Sequence, residues 1–244
     1  MGSATAETSF WTARAPLVAW MDADDVALPD RLATQVEFLG ANPDVVCVGA
    51  GIFLIDAKGR RIAPFIRPPH DAEIQDAAMR GVLLLPQPCS MIRRSALDRV
   101  GRYDPALEVA EDLDLFLRLG EVGRLANVPR VLLQYRVHDR AISSRASERE
   151  VAFVRVVCER AWKRRGTTRS LEHLEPGRAG TGRSSRHAFT MKYGWWAFNA
   201  GERSTACIYA LKAIGTRPLD RRGWHLLACA LLVRVARSSP GALS

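Results

Sequence analysis

Three aspartates directly after a short apolar segment are the feature that most constrains the fold of this 244-residue chain. Residues 16–21, Pro-Leu-Val-Ala-Trp-Met, are short and apolar, which is typical of a buried strand. Asp22, Asp24 and Asp25 follow at its C-terminal end, and Pro29 suits the first turn of a helix because its missing N–H costs nothing there. This order predicts an α/β protein with a ligand crevice at the end of the strand.

The next segments continue the alternation of strands and helices. Leu32, Val36 and Leu39 have helical spacing, so we expect this side of the first helix to pack on a sheet. Further strands are predicted at 45–48, 52–55, 89–93 and 131–135, and further helices at 71–79, 95–100, 111–119 and 148–164. Together they predict a sheet with flanking helices.

The C-terminal part of the chain has a different composition. Residues 166–186 are rich in Gly, Arg, Ser and Thr, which predicts a flexible linker. Three helical stretches follow, at 189–200, 204–214 and 221–236. We therefore expect an α/β domain at 1–145, a helix with a basic linker at 146–187 and a helical region at 188–244.

The net charge of +9 is unevenly distributed. Residues 1–150 contain 18 basic and 21 acidic residues, a net of −3, whereas residues 151–244 contain 17 and 5, a net of +12. A basic tail can meet nucleic acid, anionic lipid or water, and the sign alone leaves all three open. No nucleic-acid-binding motif is recognised, and the arginines are dispersed among helices and the linker, which disfavours a nucleic-acid partner.

Asp22 and Asp24 are candidate ligands of a cation. If the strand persists to Asp24, the two side chains leave the same face. Such a pair can share Mg²⁺ or Mn²⁺ and leave coordination positions for phosphate oxygens. The alternative is a solvated acidic turn ahead of a helix. Three neighbouring carboxylates repel one another, however, and a bound cation would relieve that repulsion.

A second acidic group, Glu111, Asp112 and Asp114, opens the predicted helix at 111–119. The positive end of the helix dipole favours carboxylates there, so a purely structural role stays open. Near a bound electrophile, one of these carboxylates could instead take a proton from an attacking hydroxyl within hydrogen-bonding reach. Spacing along the sequence does not choose between the two roles.

The five cysteines are widely spaced and odd in number, and no two form a Cys-x-x-Cys pair. This pattern indicates neither a disulfide framework nor a structural zinc site, and a reducing cytoplasm fits best. His70 and His138 fall in predicted loops and are more typical of surface histidines than of metal ligands.

Seven short motifs follow one another in a fixed order. They are LVAWMDADD at 17–25, PDRL at 29–32, NPDV at 42–45, PCSMIRR at 88–94, GRYD at 101–104, EDLDL at 111–115 and YRVH at 135–138 with Ser143 and Ser144. Together they resemble family 2 glycosyltransferases of the GT-A fold over roughly residues 14–145. The order of the motifs is far more specific than any one of them.

The resemblance implies metal-dependent transfer of a sugar from a nucleotide diphosphate donor to an acceptor hydroxyl, with inversion at the anomeric carbon. Cell-envelope polysaccharide or glycolipid synthesis is the implied setting. By position, Asp22 and Asp24 match the metal and donor motif, with Asp24 the direct ligand of Mg²⁺ or Mn²⁺ and Asp25 supporting donor binding. Asp112 matches the residue proposed as general base in this family, with Glu111 beside it.

The chain departs from the family in two places. Gln87-Pro88 stands where many relatives have His before Pro, which bears on the acceptor side or has no consequence. No segment before Asp22 is recognised as the one that holds the nucleoside, so we expect a partial GT-A sheet followed by a helical tail. Such a chain would have little activity alone, and the alternative function is an inactive remnant that serves as a binding or scaffold module.

The tail from Trp195 onward combines arginines with amphipathic helices, and many family 2 acceptors are lipid-linked or envelope-bound. We therefore expect peripheral contact with an anionic membrane surface at its cytoplasmic face. A helical appendage that packs on the catalytic domain is the alternative. The expected partners are a nucleotide-sugar donor and a saccharide or lipid-linked acceptor, without nucleic acid.

Overall fold

The structure is a computed structural model and describes residues 14–101, 103–138, 148–171 and 183–233. The chain divides into two compact units. The first is built from residues 1–51, 67–133 and 146–177, and the second from residues 52–66, 134–145 and 178–244. The domain boundaries expected from the sequence stay a prediction.

Strands and helices alternate in the first half, and helices follow. The strands are β1 (Leu17–Ala19), β2 (Val26–Ala27), β3 (Val45–Ile55), β4 (Arg61–Phe65), β5 (Met91–Arg93) and β6 (Arg124–Arg136). The helices are α1 (Arg31–Ala41), α2 (Asp71–Ala78), α3 (Arg94–Val100), α4 (Glu111–Leu119), α5 (Glu148–Arg164), α6 (Arg183–Asn199), α7 (Arg203–Thr216) and α8 (Arg221–Leu232). The predicted class, an α/β sheet with flanking helices followed by a helical tail, is confirmed.

In the first unit the strands lie in the order β1-β5-β3-β6-β2. Strand β5 pairs antiparallel with both neighbours, so that Ile92 lies opposite Val18 on β1 and opposite Cys47 on β3. These residues belong to a core that also contains Phe116 of α4 and Leu125 of β6. The core therefore joins β1, which precedes the acidic turn, to helix α4.

Strand β3 is continuous over 11 residues, so the prediction of two separate strands at 45–48 and 52–55 is wrong. Every one of its side chains is buried, as expected for a strand covered on both faces. A Cβ atom on Gly49 would lie 2.4 Å from Oδ1 of Asn127, which is on β6. Gly49 thus marks a close approach between neighbouring strands, where the sequence pattern had indicated an interruption.

Gly49→Ala should lower the free energy of unfolding by about 1–3 kcal/mol, because the new methyl group overlaps Asn127 in a packed core. Gly40→Ala is the matched control: no atom lies within 4 Å of the added methyl, and alanine favours the helix by about 1 kcal/mol. Urea denaturation of both variants checks the prediction. Equal stability changes in the two variants would contradict it.

Helix α1 buries a polar side, which corrects the packing face predicted from the sequence. Leu32 and Val36 are 55% and 47% exposed, whereas Arg31 and Gln35 are buried beside Leu39. Only Leu39 of the predicted apolar stripe therefore faces the core.

Arg31 and Gln35 satisfy main-chain carbonyls beneath the helix. Gln35 Nε2 donates to the carbonyls of Val48, at 3.2 Å, and Cys89, at 2.8 Å. Gln35 Oε1 accepts a hydrogen bond from Arg31 Nε at 3.2 Å. Buried carbonyls without donors are costly, so polar side chains stabilise this interface better than apolar ones. Arg31 also donates to the carbonyl of Trp20, just before the acidic turn.

The second unit contains β4, which pairs antiparallel with the C-terminal part of β3, and helices α6, α7 and α8. The ring of Phe65 on β4 lies 5.1 Å from that of Trp196 on α6. His187, buried in α6, lies 3.0 Å from both Thr216 Oγ1 and Asp220 Oδ2. These contacts fix α6 against β4 and against the turn between α7 and α8.

Part of the sequence predictions lies outside the described residues. This holds for Ser143 and Ser144 and for residues 172–182 of the predicted linker, whereas α6 begins at Arg183, inside that linker. Over the part of the chain that the structure describes, no helix combines the length and apolar character needed to cross a bilayer.

Candidate active site

Asp22, Asp24 and Asp25 lie on a turn. Strand β1 ends at Ala19, and the main-chain N–H of Asp25 donates to the carbonyl of Asp22 at 3.2 Å. The strand therefore does not persist to Asp24, and a shared strand face is not what brings the carboxylates together. The turn nevertheless places Asp24 close enough for its charge to act on Asp22.

Asp22 is half-buried and Asp24 is exposed. Burial raises the pKa of the Asp22 carboxyl, the negative charge of Asp24 raises it further, and a hydrogen bond with the Trp20 side chain lowers it. The two carboxylates therefore repel each other across a partly desolvated turn. A cation bound between the two carboxylates would relieve that repulsion.

Asp25 faces the protein interior, at 7% exposure, and lies near the guanidinium of Arg31. Burial lowers the pKa of Arg31, and the negative charge of Asp25 opposes this effect. Arg31 Nη2 also donates to the main-chain carbonyls of Trp20 and, at 3.5 Å, Ser90. Arg31 thus supports the acidic turn from below through charge and hydrogen bonds. Arg31 lies within the PDRL motif, but the sequence alone indicates no role for it.

The second acidic group begins helix α4. Glu111, Asp112 and Asp114 all lie in its first turn, which the helix dipole favours. Asp114 is buried and forms an ion pair with Arg118 at 2.7 Å, so its charge is neutralised within the helix. Glu111 and Asp112, both half-buried, are the members of the group that remain as candidates for chemistry.

Ala110, the residue before this group, has a left-handed backbone with φ of 64°. Among the described residues it is the only non-glycine residue with a positive φ. Its carbonyl accepts the N–H of Asp114 at 3.1 Å, so this strained residue starts the helix. Strained backbone of this kind is concentrated at functional sites, where it fixes the direction of neighbouring side chains.

Ala110→Gly should leave the free energy of unfolding unchanged or raise it by up to about 1 kcal/mol, because glycine adopts positive φ without strain. Ala152→Gly, at an exposed interior position of α5, should instead lower it by about 1 kcal/mol. Thermal and urea denaturation distinguish the two variants. Equal losses in both would show that Ala110 carries no strain.

Asp112 has the environment of a general base. Burial raises the pKa of its carboxyl to about 6, and the charge of Glu111 acts in the same direction. The main-chain N–H of Leu113 donates to its Oδ1 at 2.7 Å, which lowers the pKa and fixes the carboxyl. A base with a pKa near neutrality is ionised at physiological pH and still binds a proton well.

A cavity of about 260 Å³ lies beside Asp112. Its other walls are largely apolar, with Glu150 as a second carboxylate. They comprise Gly81, Leu83, Val109, Ala110, Leu113, Glu150 and Val154. A cavity of this size admits a small polar group of a substrate next to the carboxyl.

Trp20 and Tyr103 connect the two acidic groups. The Trp20 side chain hydrogen-bonds Asp22, and its ring meets that of Tyr103 edge-on, with centroids 6.0 Å apart. Burial raises the pKa of the Tyr103 hydroxyl, Gln87 Nε2 donates to it at 3.1 Å, and the charge of Asp112 raises its pKa further. The acidic turn and the start of α4 are therefore linked through Trp20 and Tyr103 within the first unit.

Trp20 and Tyr103 lie inside the motifs LVAWMDADD and GRYD, but the sequence alone indicates no role for either residue. Gln87 stands out in the sequence only as a departure from relatives with His. Aromatic residues directly beside acidic motifs are the signal that would have selected them, but only the structure shows that they meet.

The residues of the acidic turn fit a hard divalent cation shared with a substrate. Two carboxylates, Asp22 and Asp24, supply oxygen ligands, and Mg²⁺ or Mn²⁺ would keep further positions for diphosphate oxygens and water. Over residues 14–101, 103–138, 148–171 and 183–233, no group of three or more His, Cys, Asp or Glu side chains is arranged to hold a metal ion.

The sequence of the α/β unit is similar to that of a known class of enzymes. Residues 8–101 match the family model described as Glycosyl transferase family 2. The chain is thus similar to glycosyltransferase family 2 over this segment, as its motifs suggested.

Two curated relatives illustrate the similarity. The amylovoran biosynthesis glycosyltransferase AmsE of Erwinia amylovora is 29% identical over 130 residues, covering 53% of this chain and 48% of that protein. The O-antigen biosynthesis glycosyltransferase WbnJ of Escherichia coli is 31% identical over 133 residues, covering 53% of this chain and 51% of that protein. The chain thus spans about half the length of the curated relatives it matches.

Among solved structures, the chain is similar to the mannosyltransferase PcManGT from Pyrobaculum calidifontis, determined in complex with GDP-Man and Mn²⁺. The sequence identity is 17% and the TM-score 0.43, over 92% of this chain and 64% of that one.

The family match begins at residue 8, before the acidic turn. It therefore includes part of the segment ahead of Asp22 in which sequence analysis recognised no family feature. The expected loss of the nucleotide-binding half is not confirmed by these comparisons.

Proposed function

We propose that this protein transfers a sugar from a nucleotide diphosphate donor to a hydroxyl of a saccharide or lipid-linked acceptor, with inversion at the anomeric carbon. The observation that carries the proposal is the Asp112 carboxyl. It is held by the Leu113 N–H at 2.7 Å, has a pKa of about 6 and lies beside a cavity of about 260 Å³. The similarity of residues 8–101 to glycosyltransferase family 2 supports the reaction class.

Asp22, Asp24 and Asp25 form the donor side of the proposed site. Asp22 and Asp24 would hold Mg²⁺ or Mn²⁺, which neutralises charge on the departing diphosphate. Asp25 and Arg31 keep the turn in place, because a buried carboxylate beside a buried guanidinium resists displacement. Asp24 is the more exposed of the two ligands and therefore the one that an incoming donor reaches first.

Asp112 forms the acceptor side. Its carboxylate takes the proton of the acceptor hydroxyl as the hydroxyl oxygen forms a bond to the anomeric carbon. The bond from that carbon to the diphosphate oxygen breaks on the opposite face, and its electron pair leaves with the nucleoside diphosphate. The site holds acceptor and donor in line, which supplies much of the rate enhancement.

Synthesis of cell-envelope polysaccharide is the proposed setting. The names of the two relatives, one for amylovoran and one for O-antigen, support this setting for their own reactions. We also propose a cytoplasmic location, at which all five cysteines would stay reduced; each is a free thiol in the structure.

The full chain, supplied with Mn²⁺ and a panel of UDP-, GDP- and dTDP-sugars, tests the proposal. Release of nucleoside diphosphate should rise on addition of an envelope saccharide or lipid extract, and NMR of the product should show the inverted anomer. The inactive-remnant alternative predicts no acceptor-dependent release with any donor, and that result would overturn the proposal.

A further inference from the structure

Helix α8 and the turn before it expose large apolar side chains. Leu219 is 96% exposed, Trp224 52%, Leu231 59% and Leu232 81%. A soluble surface scatters such residues singly, whereas here all four fall within fourteen consecutive positions of one unit. The exposed apolar residues therefore form a surface of their own.

The helix geometry places these residues together. Gly223, Leu226 and Ala230 are buried and define the inner side of α8. Trp224 and Leu231 are seven residues apart, so they lie two turns apart on one outer side. The Trp224 indole N–H donates to the carbonyl of Pro218 at 2.9 Å, which holds the ring against the turn that carries Leu219.

The end of α8 is also fixed. Arg203 of α7 donates to the carbonyls of Ala230, at 2.9 Å, and Leu231, at 2.6 Å. These hydrogen bonds satisfy carbonyls that a helix end leaves open. Leu231 and Leu232 are thus presented to solvent by a well-anchored helix.

Positive charge accompanies the apolar residues. Arg217 and Arg221 are exposed, and within the described residues neither forms an ion pair. Arg222 is neutralised by Asp220 at 2.7 Å. Between Arg203 and Ser244 the sequence has seven basic residues and one acidic residue, which is Asp220.

We propose that Leu219, Trp224, Leu231 and Leu232, together with Arg217 and Arg221, form a docking surface for an anionic phospholipid membrane. This α8 surface combines a Trp at an apolar face with neighbouring arginines, the pattern of elements that lie in the membrane interface. Lipid phosphates attract the arginines while the apolar side chains enter the acyl boundary.

A membrane explains the surface better than a nucleic acid does. Leu219 and Leu232, which are 96% and 81% exposed, would gain no stabilisation from contact with a phosphate backbone. Burial in lipid, by contrast, removes them from water, which is favourable. A second copy of the chain would also bury the leucines, but it would bring its own Arg217 and Arg221 into contact with Arg217 and Arg221 of the first copy. Self-association is therefore tested as the competing outcome.

Co-sedimentation of the full chain with vesicles tests the proposal. We expect binding to phosphatidylcholine vesicles containing phosphatidylglycerol, weaker binding to phosphatidylcholine alone, and weakening by high salt. Trp224→Ala with Leu232→Ala should weaken binding by about tenfold or more. Arg217→Gln with Arg221→Gln should weaken it by about thirtyfold at low salt, because each arginine contributes about 1 kcal/mol near such a surface.

Leu32→Ala with Val36→Ala is the matched control, since these apolar residues of α1 are similarly exposed but lie in the first unit. This variant should bind vesicles as the parent does. The proposal would be overturned if neither the Trp224→Ala/Leu232→Ala variant nor the Arg217→Gln/Arg221→Gln variant weakened vesicle binding. It would also be overturned if binding did not depend on lipid charge. The proposal would also be overturned if the chain bound no vesicles and instead formed a dimer, seen by analytical ultracentrifugation, that Trp224→Ala dissociates. None of these outcomes depends on glycosyltransferase activity.

Discussion

Asp112→Asn should lower turnover by about 10²- to 10⁴-fold in the acceptor-dependent assay, the usual range for loss of a general base. The amide keeps the shape of the carboxyl and can still accept the Leu113 N–H, but it cannot take a proton at neutral pH. Donor binding should be unchanged, because donor binding is assigned to the acidic turn. Steady-state kinetics with donor titration separates these two effects.

The pH profile of the parent enzyme gives an independent test of this role. Because burial raises the pKa of Asp112 to about 6, kcat/KM should rise with pH through about 6 and level off above it. Stability should change in the opposite direction. The unfolded chain ionises this carboxyl more easily, so its charge costs stability above about pH 6, and that cost disappears at acidic pH.

Asp112→Asn should therefore be at least as stable as the parent at pH 8 and lose any advantage below about pH 4. Glu111→Gln is the control, because it removes the neighbouring charge and leaves Asp112 in place. It should keep most of the turnover and shift the acidic limb of kcat/KM to lower pH. If Glu111→Gln abolished turnover and Asp112→Asn did not, the roles of the two carboxylates would be reversed.

Asp24→Ala has the second largest expected effect, a loss of at least about a hundredfold in turnover together with weaker Mn²⁺ binding. Loss of a cation that neutralises the leaving diphosphate costs several kcal/mol in the transition state, and each 1.36 kcal/mol is tenfold in rate. Calorimetric titration or Mn²⁺ relaxation, in the presence of nucleoside diphosphate, measures the binding directly.

Asp98→Ala provides the control for total charge, since it removes a solvent-exposed carboxylate of α3 that makes a long ion pair with Arg94, at 3.8 Å. This variant should bind Mn²⁺ and turn over as the parent does. Identical Mn²⁺ binding by Asp24→Ala and the parent would exclude the acidic turn as the cation site.

Local sequence patterns predicted the helices well where first-turn carboxylates and apolar spacing agree. Helices α4 and α5 have the predicted bounds, because carboxylates open both helices and regular apolar residues follow. Strand β6, Arg124–Arg136, is much longer than the predicted 131–135. The prediction was too short because Pro129 lies inside the strand, and a proline is typical of positions outside a central strand. Long-range pairing is what extends this strand, and pairing is not visible in a local window.

Helix α1 shows a second kind of limit. Its spacing correctly indicated a helix, but the apolar stripe did not indicate which side is buried. Arg31 and Gln35 are drawn inside by carbonyls of Trp20, Val48, Cys89 and Ser90, from segments far apart in sequence. A hydrophobicity pattern does not contain the positions of those carbonyls.

The candidate site also has a part that the sequence predicts and a part that only the structure shows. Motif order selected Asp22, Asp24, Asp25 and Asp112, and their assignment as ligands and base stays a prediction. The structure adds the connection through Trp20 and Tyr103, which requires an edge-on ring contact between residues 83 positions apart. Neither ring has a sequence neighbour that would reveal the contact.

The polar underside of α1 has a practical consequence for producing this protein. Because Arg31 and Gln35 hold the helix in place, Leu32 and Val36 are open to exchange for charged residues without removing a core contact. Replacing them with lysine or glutamate would improve colloidal behaviour and offer new crystal contacts. A design method that read the apolar stripe as the core would instead preserve both leucine and valine and replace the arginine on which the turn rests.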